Sequence, residues 1–110
     1  RRGRAWESGQ TILPCPFEKT VSYMPGTRFG PREILLASAQ VELWDEEMGA
    51  DVHPKGIYTL PEMDLTHHTM PEAVAAIRDA AGAVMDDGKF LVTLGGEHSI
   101  TPPLVAAAAA

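Results

Sequence analysis

The sequence predicts a three-layer α/β/α fold built on a mainly parallel sheet. Residues 90–94, Phe-Leu-Val-Thr-Leu, form a nearly continuous apolar run, which is typical of a strand buried on both faces. An amphipathic helix is predicted directly before it, over residues 70–87, and a short first strand near residues 10–14. Strand, helix and strand in this order favour a layered α/β architecture.

Length, charge and apolar content limit the class of protein. A chain of 110 residues suits one domain, and its 45% hydrophobic content is enough for a core. The net charge is -6, without the basic patch that nucleic-acid binders use, so no nucleic-acid partner is expected. No apolar run approaches the roughly 20 residues that a membrane-spanning helix needs, so no membrane partner is expected either.

The first residues and the only cysteine add two expectations. Three of the first four residues are arginine, and residues 1–9 are predicted to be a disordered tail. Cys15 is the one cysteine, so no internal disulfide can form; without a signal peptide, the cytoplasm is the expected location. Its neighbours are apolar and nothing near it in sequence would lower the thiol pKa, which favours a structural thiol over a nucleophile.

The first half of the chain contains a strand, a long loop and a helix. The strand is predicted to end near Leu13 or Pro14, because proline cannot donate to a ladder. Residues 18–30 form a polar loop with a Pro-Gly turn, and Pro31 then suits the first position of a helix that ends near Ala39. The predicted apolar side of this helix consists of Ile34, Leu35, Leu36 and Ala39.

The middle of the chain is predicted to hold short extended segments and loops. Residues 41–44 alternate apolar and polar, as a short strand would, and residues 45–47 form an acidic run that is best interpreted as a solvated loop. Residues 57–60 are predicted to be an edge strand. The His-His pair at residues 67–68 is predicted to lie in a surface loop, because adjacent side chains point in different directions and cannot readily chelate one metal.

The helix over residues 70–87 has the clearest sequence signals. Thr69 and Glu72 form a capping-box pattern at its start, and Gly88 fits the left-handed residue that ends such helices. Its predicted buried stripe consists of Val74, Ile77, Ala81, Val84 and Met85.

A glycine turn after the last strand carries the candidate functional residue. The pair Gly95-Gly96 lets the backbone turn sharply, and His98 would project beyond the sheet edge where ligands of open parallel sheets collect. A new helix is predicted to start near Thr101, with Thr101 or Ser99 as its cap. The chemistry alone leaves two possibilities open, metal ligation by the imidazole and simple packing of a histidine at a turn.

Two other chemistries fit this segment poorly. A phosphate-binding loop would need G-x-G-x-x-G spacing or a G-K-[ST] ending, and neither is present. A serine hydrolase would need Ser99 to face His98, but adjacent residues do not face each other, and no G-x-S-x-G elbow occurs.

Two segments resemble the ureohydrolase family, the group of arginases and agmatinases. Residues 94–101, Leu-Gly-Gly-Glu-His-Ser-Ile-Thr, look like the first metal-binding signature of that family. Residues 20–34 resemble the N-terminal loop and helix start of agmatinases, in which a Gly-x-x-x-Gly-Pro-x-x-Ile pattern recurs. Gly26, Gly30 and Pro31 match the pattern and, like the Gly95-Gly96 pair, are expected to shape turns.

The resemblance covers about residues 10–105 and implies roles for few side chains. It implies that His98 binds one manganese ion of a dinuclear site, with Glu97 just outside the ligand shell. The chemistry of the turn makes Ser99 a further candidate for outer-shell support. In such enzymes two Mn²⁺ ions bridge a hydroxide that attacks the guanidinium carbon, and urea leaves. Ser22 and Tyr23 would lie near the active-site mouth, without an assigned role. No catalytic residue can be assigned.

The chain also departs from the family pattern. The other metal ligands of the family come from an Asp-x-His-x-Asp and a later Ser-x-Asp-x-Asp segment, and neither occurs here. One imidazole cannot hold two hard cations that each want five or six mostly oxygen ligands. Residues 10–110 are therefore expected to be the N-terminal portion of a single arginase-like α/β domain, incomplete in this chain. Alone they should be inactive and fold poorly, because the edge of the strand at residues 90–94 would be exposed.

The resemblance implies manganese-dependent hydrolysis of agmatine to putrescine and urea, a step of polyamine biosynthesis. The expected partner is a small cationic guanidino substrate, and a homo-oligomer is expected from the family alone. Two alternatives remain open. One is another guanidino hydrolase, such as an arginase or a guanidinobutyrase. The other is a non-catalytic interaction module that keeps part of the fold.

Overall fold

A three-stranded parallel sheet with helices packed on it forms the centre of the molecule. The structure is a computed structural model that describes residues 9–51 and 56–110, so the predicted tail lies outside it except for Gly9. The elements are β1 (Gln10–Cys15), α1 (Gly30–Ser38), β2 (Trp44–Asp45), β3 (Ala50–Asp51), β4 (Ile57–Thr59), α2 (Met70–Asp86), β5 (Phe90–Gly95) and α3 (Thr101–Ala109), with single 3₁₀ turns at Thr27–Phe29 and His98–Ile100. The predicted α/β class with a parallel sheet is confirmed.

The first strand, β1, lies between the other two strands of this sheet. It pairs in parallel with β5 over its full length, and with β4 over three residues. The strand continues one residue past Pro14, to Cys15, contrary to the predicted end. This is possible because β4 stops at Thr59, so no β4 carbonyl needs an N–H from Pro14. Instead the Pro14 carbonyl accepts a hydrogen bond from the Met63 N–H at 3.1 Å. The predicted edge strand β4 is present.

The last strand, β5, is not buried on both faces, so that prediction is wrong for this chain. Among the described residues it pairs only with β1. The side chains of Phe90 and Val92 are 69% and 40% exposed, because no described element covers them. The apolar run nevertheless forms a strand, as predicted. The poor folding of the isolated chain stays a prediction, and this open edge and face are the reason for it.

The long helix α2 follows its sequence signals closely. The Glu72 N–H donates to Thr69 Oγ1 at 3.3 Å and the Thr69 N–H donates to Glu72 Oε1 at 2.8 Å, which completes the capping box. The helix ends at Asp86, and Gly88 has the left-handed φ of +74°. Its buried face consists of Ala73, Ile77, Ala81 and Val84, with Val74 and Met85 half-buried. This face packs on the sheet and on α3.

We expect Thr69→Ala to destabilise the complete protein by about 1 kcal/mol, because it removes the side-chain acceptor of the capping box. Thr69→Ser keeps a hydroxyl acceptor and should stay close to wild type. The midpoints of thermal unfolding of the two variants measure the difference. Equal midpoints would show that the cap contributes nothing to stability.

The segment between α1 and β4 differs most from its prediction. Pro31 lies in the first turn of α1 as predicted, but Ile34 and Leu36 are 51% and 60% exposed, since no described element packs against that side. Residues 41–43 form no strand, and only Trp44 and Asp45 pair with β3 in a short antiparallel hairpin. The rest of the acidic run lies exposed in the hairpin turn, in keeping with a solvated loop.

None of the helices within residues 9–51 and 56–110 has the length and apolar character that crossing a bilayer requires.

Candidate metal-binding turn and the adjoining cleft

The turn after β5 passes very close to the end of β1, and a glycine makes this possible. Gly96 has a φ of +41°, and a Cβ there would lie 2.5 Å from the Phe17 carbonyl oxygen and 2.8 Å from that of Cys15. A Cβ on Gly95 would meet only the end of the Ile100 side chain, which can shift. At Gly96 the backbone can therefore turn only without a side chain, and this turn places the following residues at the carboxyl edge of the sheet.

The imidazole of His98 is exposed at this edge. His98 begins the 3₁₀ turn that runs directly into α3. Neither Thr101 nor Ser99 caps α3, contrary to prediction: the Thr101 N–H donates to the His98 carbonyl. The 3₁₀ turn and the prolines in the first turn of α3 leave few N–H groups for a side-chain cap to satisfy.

Glu97, predicted to lie just outside a metal shell, binds the loop after β1. This loop, residues 16–29, is called the β1 loop below. Glu97 is 7% exposed; Oε1 accepts from the N–H groups of Lys19 and Thr20, the latter at 2.8 Å. Oε2 accepts from the Thr20 hydroxyl, and from the Thr20 N–H at 3.2 Å. The Glu97 N–H donates to the Phe17 carbonyl at 2.8 Å. Three donor groups on two residues thus make four hydrogen bonds to one carboxylate.

These hydrogen bonds keep Glu97 ionised. Burial raises the pKa of the carboxyl, but the Thr20 hydroxyl and the N–H groups of Lys19 and Thr20 outweigh this and hold the pKa below its usual range. Ser99 lies near enough to favour the charged form as well. However, no hydrogen bond of normal geometry reaches its buried Oγ from the described residues.

A second carboxylate shapes the β1 loop from within. Glu18 accepts hydrogen bonds from the Gly26 N–H at 2.8 Å and the Arg28 N–H at 3.3 Å, and forms an ion pair with the Arg28 guanidinium at 3.0 Å. The hydrogen bond from the Gly26 N–H lowers the pKa of Glu18, burial raises it, and the Arg28 contacts lower it further. The pKa of Glu18 therefore lies below its usual range. Gly26 supplies the turn with a φ of +123°. At the end of the loop, Gly30 approaches the Gly95 carbonyl, where a Cβ would lie 3.0 Å from the oxygen.

The side chains described do not by themselves fit a dinuclear manganese centre. Within the ranges that the structure covers, no group of three or more His, Cys, Asp or Glu residues could hold a metal ion. His98 offers one exposed imidazole, and the carboxylate of Glu97 is already occupied by donors from the β1 loop. His67 and His68 lie in another loop, His67 exposed and His68 half-buried. A complete metal site would need ligands from elsewhere.

A cleft of about 400 Å³, missed by the sequence analysis, lies between the β1 loop and the loop after β4, residues 60–69 (the β4 loop). Its walls combine apolar side chains with charges of both signs, and His98 is not among its lining residues. The cleft is lined by Pro16, Phe17, Glu18, Lys19, Arg28, Phe29, Arg32, Glu62, Met63, Asp64, Leu65, Thr66 and His68. Sequence patterns could not reveal it, because its two walls come together only through the parallel pairing of β1 and β4.

Cys15 is fully buried at the end of β1, and burial raises its thiol pKa to about 11. At pH 8 the thiolate fraction would then be about one in a thousand. We expect no measurable alkylation by iodoacetamide at pH 8 in the native protein and rapid alkylation after denaturation. Mass spectrometry of the intact protein measures both. Fast modification of the native thiol would contradict the structural role predicted from the sequence.

The fold and the turn after β5 place the chain among open α/β proteins, in which ligands bind outside the carboxyl ends of the parallel strands. Within that class the chain belongs to the arginase family, whose model matches residues 9–110. It is 39% identical to the N(1)-aminopropylagmatine ureohydrolase of Synechocystis, over 92% of this chain and 35% of the relative. It is 29% identical to the agmatinase of Bacillus subtilis, over 93% of this chain and 36% of that enzyme.

Solved structures of this family share the fold. The agmatine ureohydrolase of Thermoplasma volcanium superposes with a TM-score of 0.88 at 30% identity, over 96% of this chain and 36% of that one. A Trypanosoma cruzi formiminoglutamase crystallised with Mn²⁺ superposes with a TM-score of 0.82 at 18% identity, over 94% of this chain and 36% of that one, which shows the fold alone. The chain thus spans about a third of the length of the relatives it matches.

Proposed function

We propose that this chain forms the N-terminal part of a ureohydrolase, which hydrolyses the guanidino group of a small cationic substrate and releases urea. The observation that carries the proposal is the match of residues 9–110 to the arginase family, with His98 exposed on the turn after β5. The reaction adds water to the guanidinium carbon and breaks one C–N bond, leaving urea and a primary amine.

We infer that His98 is one ligand of a manganese centre whose other ligands lie outside these residues. The resemblance of residues 94–101 to the first metal-binding signature of the family supports the choice of metal. When bound, such a centre would lower the pKa of a water molecule and stabilise charge on the tetrahedral intermediate. The chain itself contributes the exposed imidazole, the glycine turn that presents it and the walls of the neighbouring cleft. Without the remaining ligands it would be inactive.

The substrate is proposed to be a linear guanidino amine. Agmatine, which would give putrescine and urea, is the candidate that the loop at residues 20–34 indicates. N(1)-aminopropylagmatine is a second candidate, because the relatives named for that substrate are 38–39% identical to this chain, against 29–30% for those named agmatinase. Both would place the enzyme in polyamine biosynthesis. A guanidinobutyrase is 30% identical, so guanidinobutyrate is a further candidate.

Comparison of kcat/KM for the two guanidino amines, with guanidinobutyrate and arginine alongside, tests this proposal. We expect urea release from at least one guanidino amine and a clear preference, about tenfold or more, over the two substrates that carry a carboxylate. A preference for guanidinobutyrate or arginine would overturn the proposed substrate class. The assay needs the complete protein, loaded with Mn²⁺.

The family resemblance also supports a homo-oligomer, which we propose on that basis alone. A cytoplasmic location is proposed separately, because the single cysteine leaves no disulfide framework. The rival to the enzyme is a non-catalytic module that uses part of the fold for binding. The two differ in the sequence that the gene encodes after residue 110. An Asp-x-His-x-Asp segment there would support the enzyme, and its absence together with no urea release would support the module.

A further inference from the structure

The carboxylate of Glu97 and the imidazole of His98 are adjacent in sequence but engage different parts of the molecule. The hydrogen bonds of the Glu97 side chain span 77 and 78 residues of sequence, to Thr20 and Lys19. Its own N–H reaches the Phe17 carbonyl at 2.8 Å. Glu97 therefore fastens the base of the β1 loop to the turn that carries His98.

The β1 loop also has internal hydrogen bonds. A shift at its base would therefore move the rest of the loop with it. Glu18 joins the N–H groups of Gly26 and Arg28, which closes the loop on itself. The intervening tip is exposed, with Tyr23 82% and Met24 69% accessible. The loop is thus held at two places, by Glu97 at its base and by Glu18 across its tip.

The β1 loop forms a wall of the 400 Å³ cleft and also lines a second hollow of about 440 Å³. Glu18, Lys19 and Arg28 border both spaces. The backbone hydrogen bond from Glu97 to Phe17 holds the start of the loop, and the Glu97 carboxylate holds Lys19 and Thr20 beyond it. The position of this wall relative to the imidazole therefore depends on the Glu97 side chain.

We infer that Glu97 is a positioning residue that holds the β1 loop, and with it one wall of the 400 Å³ cleft, in register with His98. In this role Glu97 does not support the metal ligand; it positions the wall that the substrate would contact. This inference rests on the proposed function for its kinetic consequences, but not for the structural coupling. Misplacement of a binding wall by about 1 Å can cost up to about a hundredfold in kcat/KM. The loss should appear mainly in KM, because the imidazole itself is left in place.

Two variants of the complete enzyme separate the two roles. Glu97→Gln keeps the shape of the side chain but removes its charge and replaces one acceptor oxygen with a donor, so the hydrogen bonds to the β1 loop are no longer charge-assisted. Thr20→Val removes only the hydroxyl donor, at an exposed position. Thr66→Val is the matched exchange control, because its hydroxyl bonds a different carboxylate, Asp64, at 2.8 Å in the β4 loop.

Hydrogen–deuterium exchange at Lys19 and Thr20 measures the coupling directly. We expect exchange there to speed up about tenfold or more in Glu97→Gln and by less in Thr20→Val, since charge-assisted hydrogen bonds are the stronger ones. Thr66→Val should leave these two amides unchanged. Manganese content should match wild type in both test variants, while KM for the guanidino amine rises and kcat changes less.

Two results would decide against the inference. Loss of manganese from Glu97→Gln with unchanged exchange at Lys19 and Thr20 would assign Glu97 to the metal instead. Unchanged exchange in Thr20→Val would overturn the coupling even if Glu97→Gln failed to fold. If the wild-type enzyme released no urea, the proposed function would fail, whereas the exchange measurement would still test the coupling of the loop to the turn.

Discussion

Replacing His98 with alanine in the complete enzyme is expected to remove at least one manganese ion and most of the urea-forming activity. The side chain is exposed at the carboxyl edge of the sheet. Its removal should leave the turn intact, because Gly95 and Gly96 determine the turn geometry. Since loss of a group that merely supports a metal ligand costs about 10- to 100-fold, loss of the ligand itself should cost at least about a hundredfold. Metal analysis after dialysis and the rate of urea release measure the two effects.

His67→Ala is the matched control for this prediction. His67 is also exposed, but it lies in the β4 loop and does not line the cleft. Metal content and turnover should therefore stay at the wild-type level. If His98→Ala behaved in the same way as this control, the assignment of His98 as a metal ligand would be wrong.

Gly96→Ala is expected to destabilise the complete protein strongly. The φ of +41° is strained for alanine, and the new Cβ would lie 2.5 Å and 2.7 Å from the backbone oxygen and nitrogen of Phe17. Backbone atoms cannot move aside as a flexible side chain can. Backbone strain and overpacking together should destabilise the protein by about 3 kcal/mol. They should also shift the β1 loop away from the turn.

Gly82→Ala provides the opposite control within the same chain. Gly82 lies in α2, and a Cβ there would meet nothing within 4 Å. Alanine is the better helix former, so this variant should gain about 0.5–1 kcal/mol. The midpoints of thermal unfolding of the two variants should therefore move in opposite directions. A Gly96→Ala midpoint within error of wild type would show that the turn is not packed against β1 as described.

The elements that the sequence predicted best are those determined by local interactions. The start of α2 depends on Thr69 and Glu72, three residues apart, and its end on Gly88. Both signals act within one helical turn, so no tertiary contact was needed to predict them. The same holds for Pro31 in α1 and for the sharp turn at Gly95-Gly96.

The features that sequence patterns did not predict depend on contacts between distant segments. Whether β5 is covered depends on neighbours that residues 90–94 do not encode, and Phe90 and Val92 are exposed in this chain. From the family resemblance, Glu97 was predicted only to lie just outside the ligand shell of a metal bound by His98. Its hydrogen bonds to the β1 loop depend instead on the register that sets Cys15 opposite Gly95. The cleft between the β1 and β4 loops likewise arises from strand pairing.

Urea release by the complete protein, assayed with a guanidino amine before and after removal of manganese, tests the central claim most directly. The claim is that this chain carries one histidine ligand of a ureohydrolase centre on the turn after β5. We predict urea formation with Mn²⁺ present, its loss after chelation and its recovery when Mn²⁺ is restored. No urea from any guanidino amine in the manganese-loaded protein, or release that is indifferent to the metal, would contradict the account.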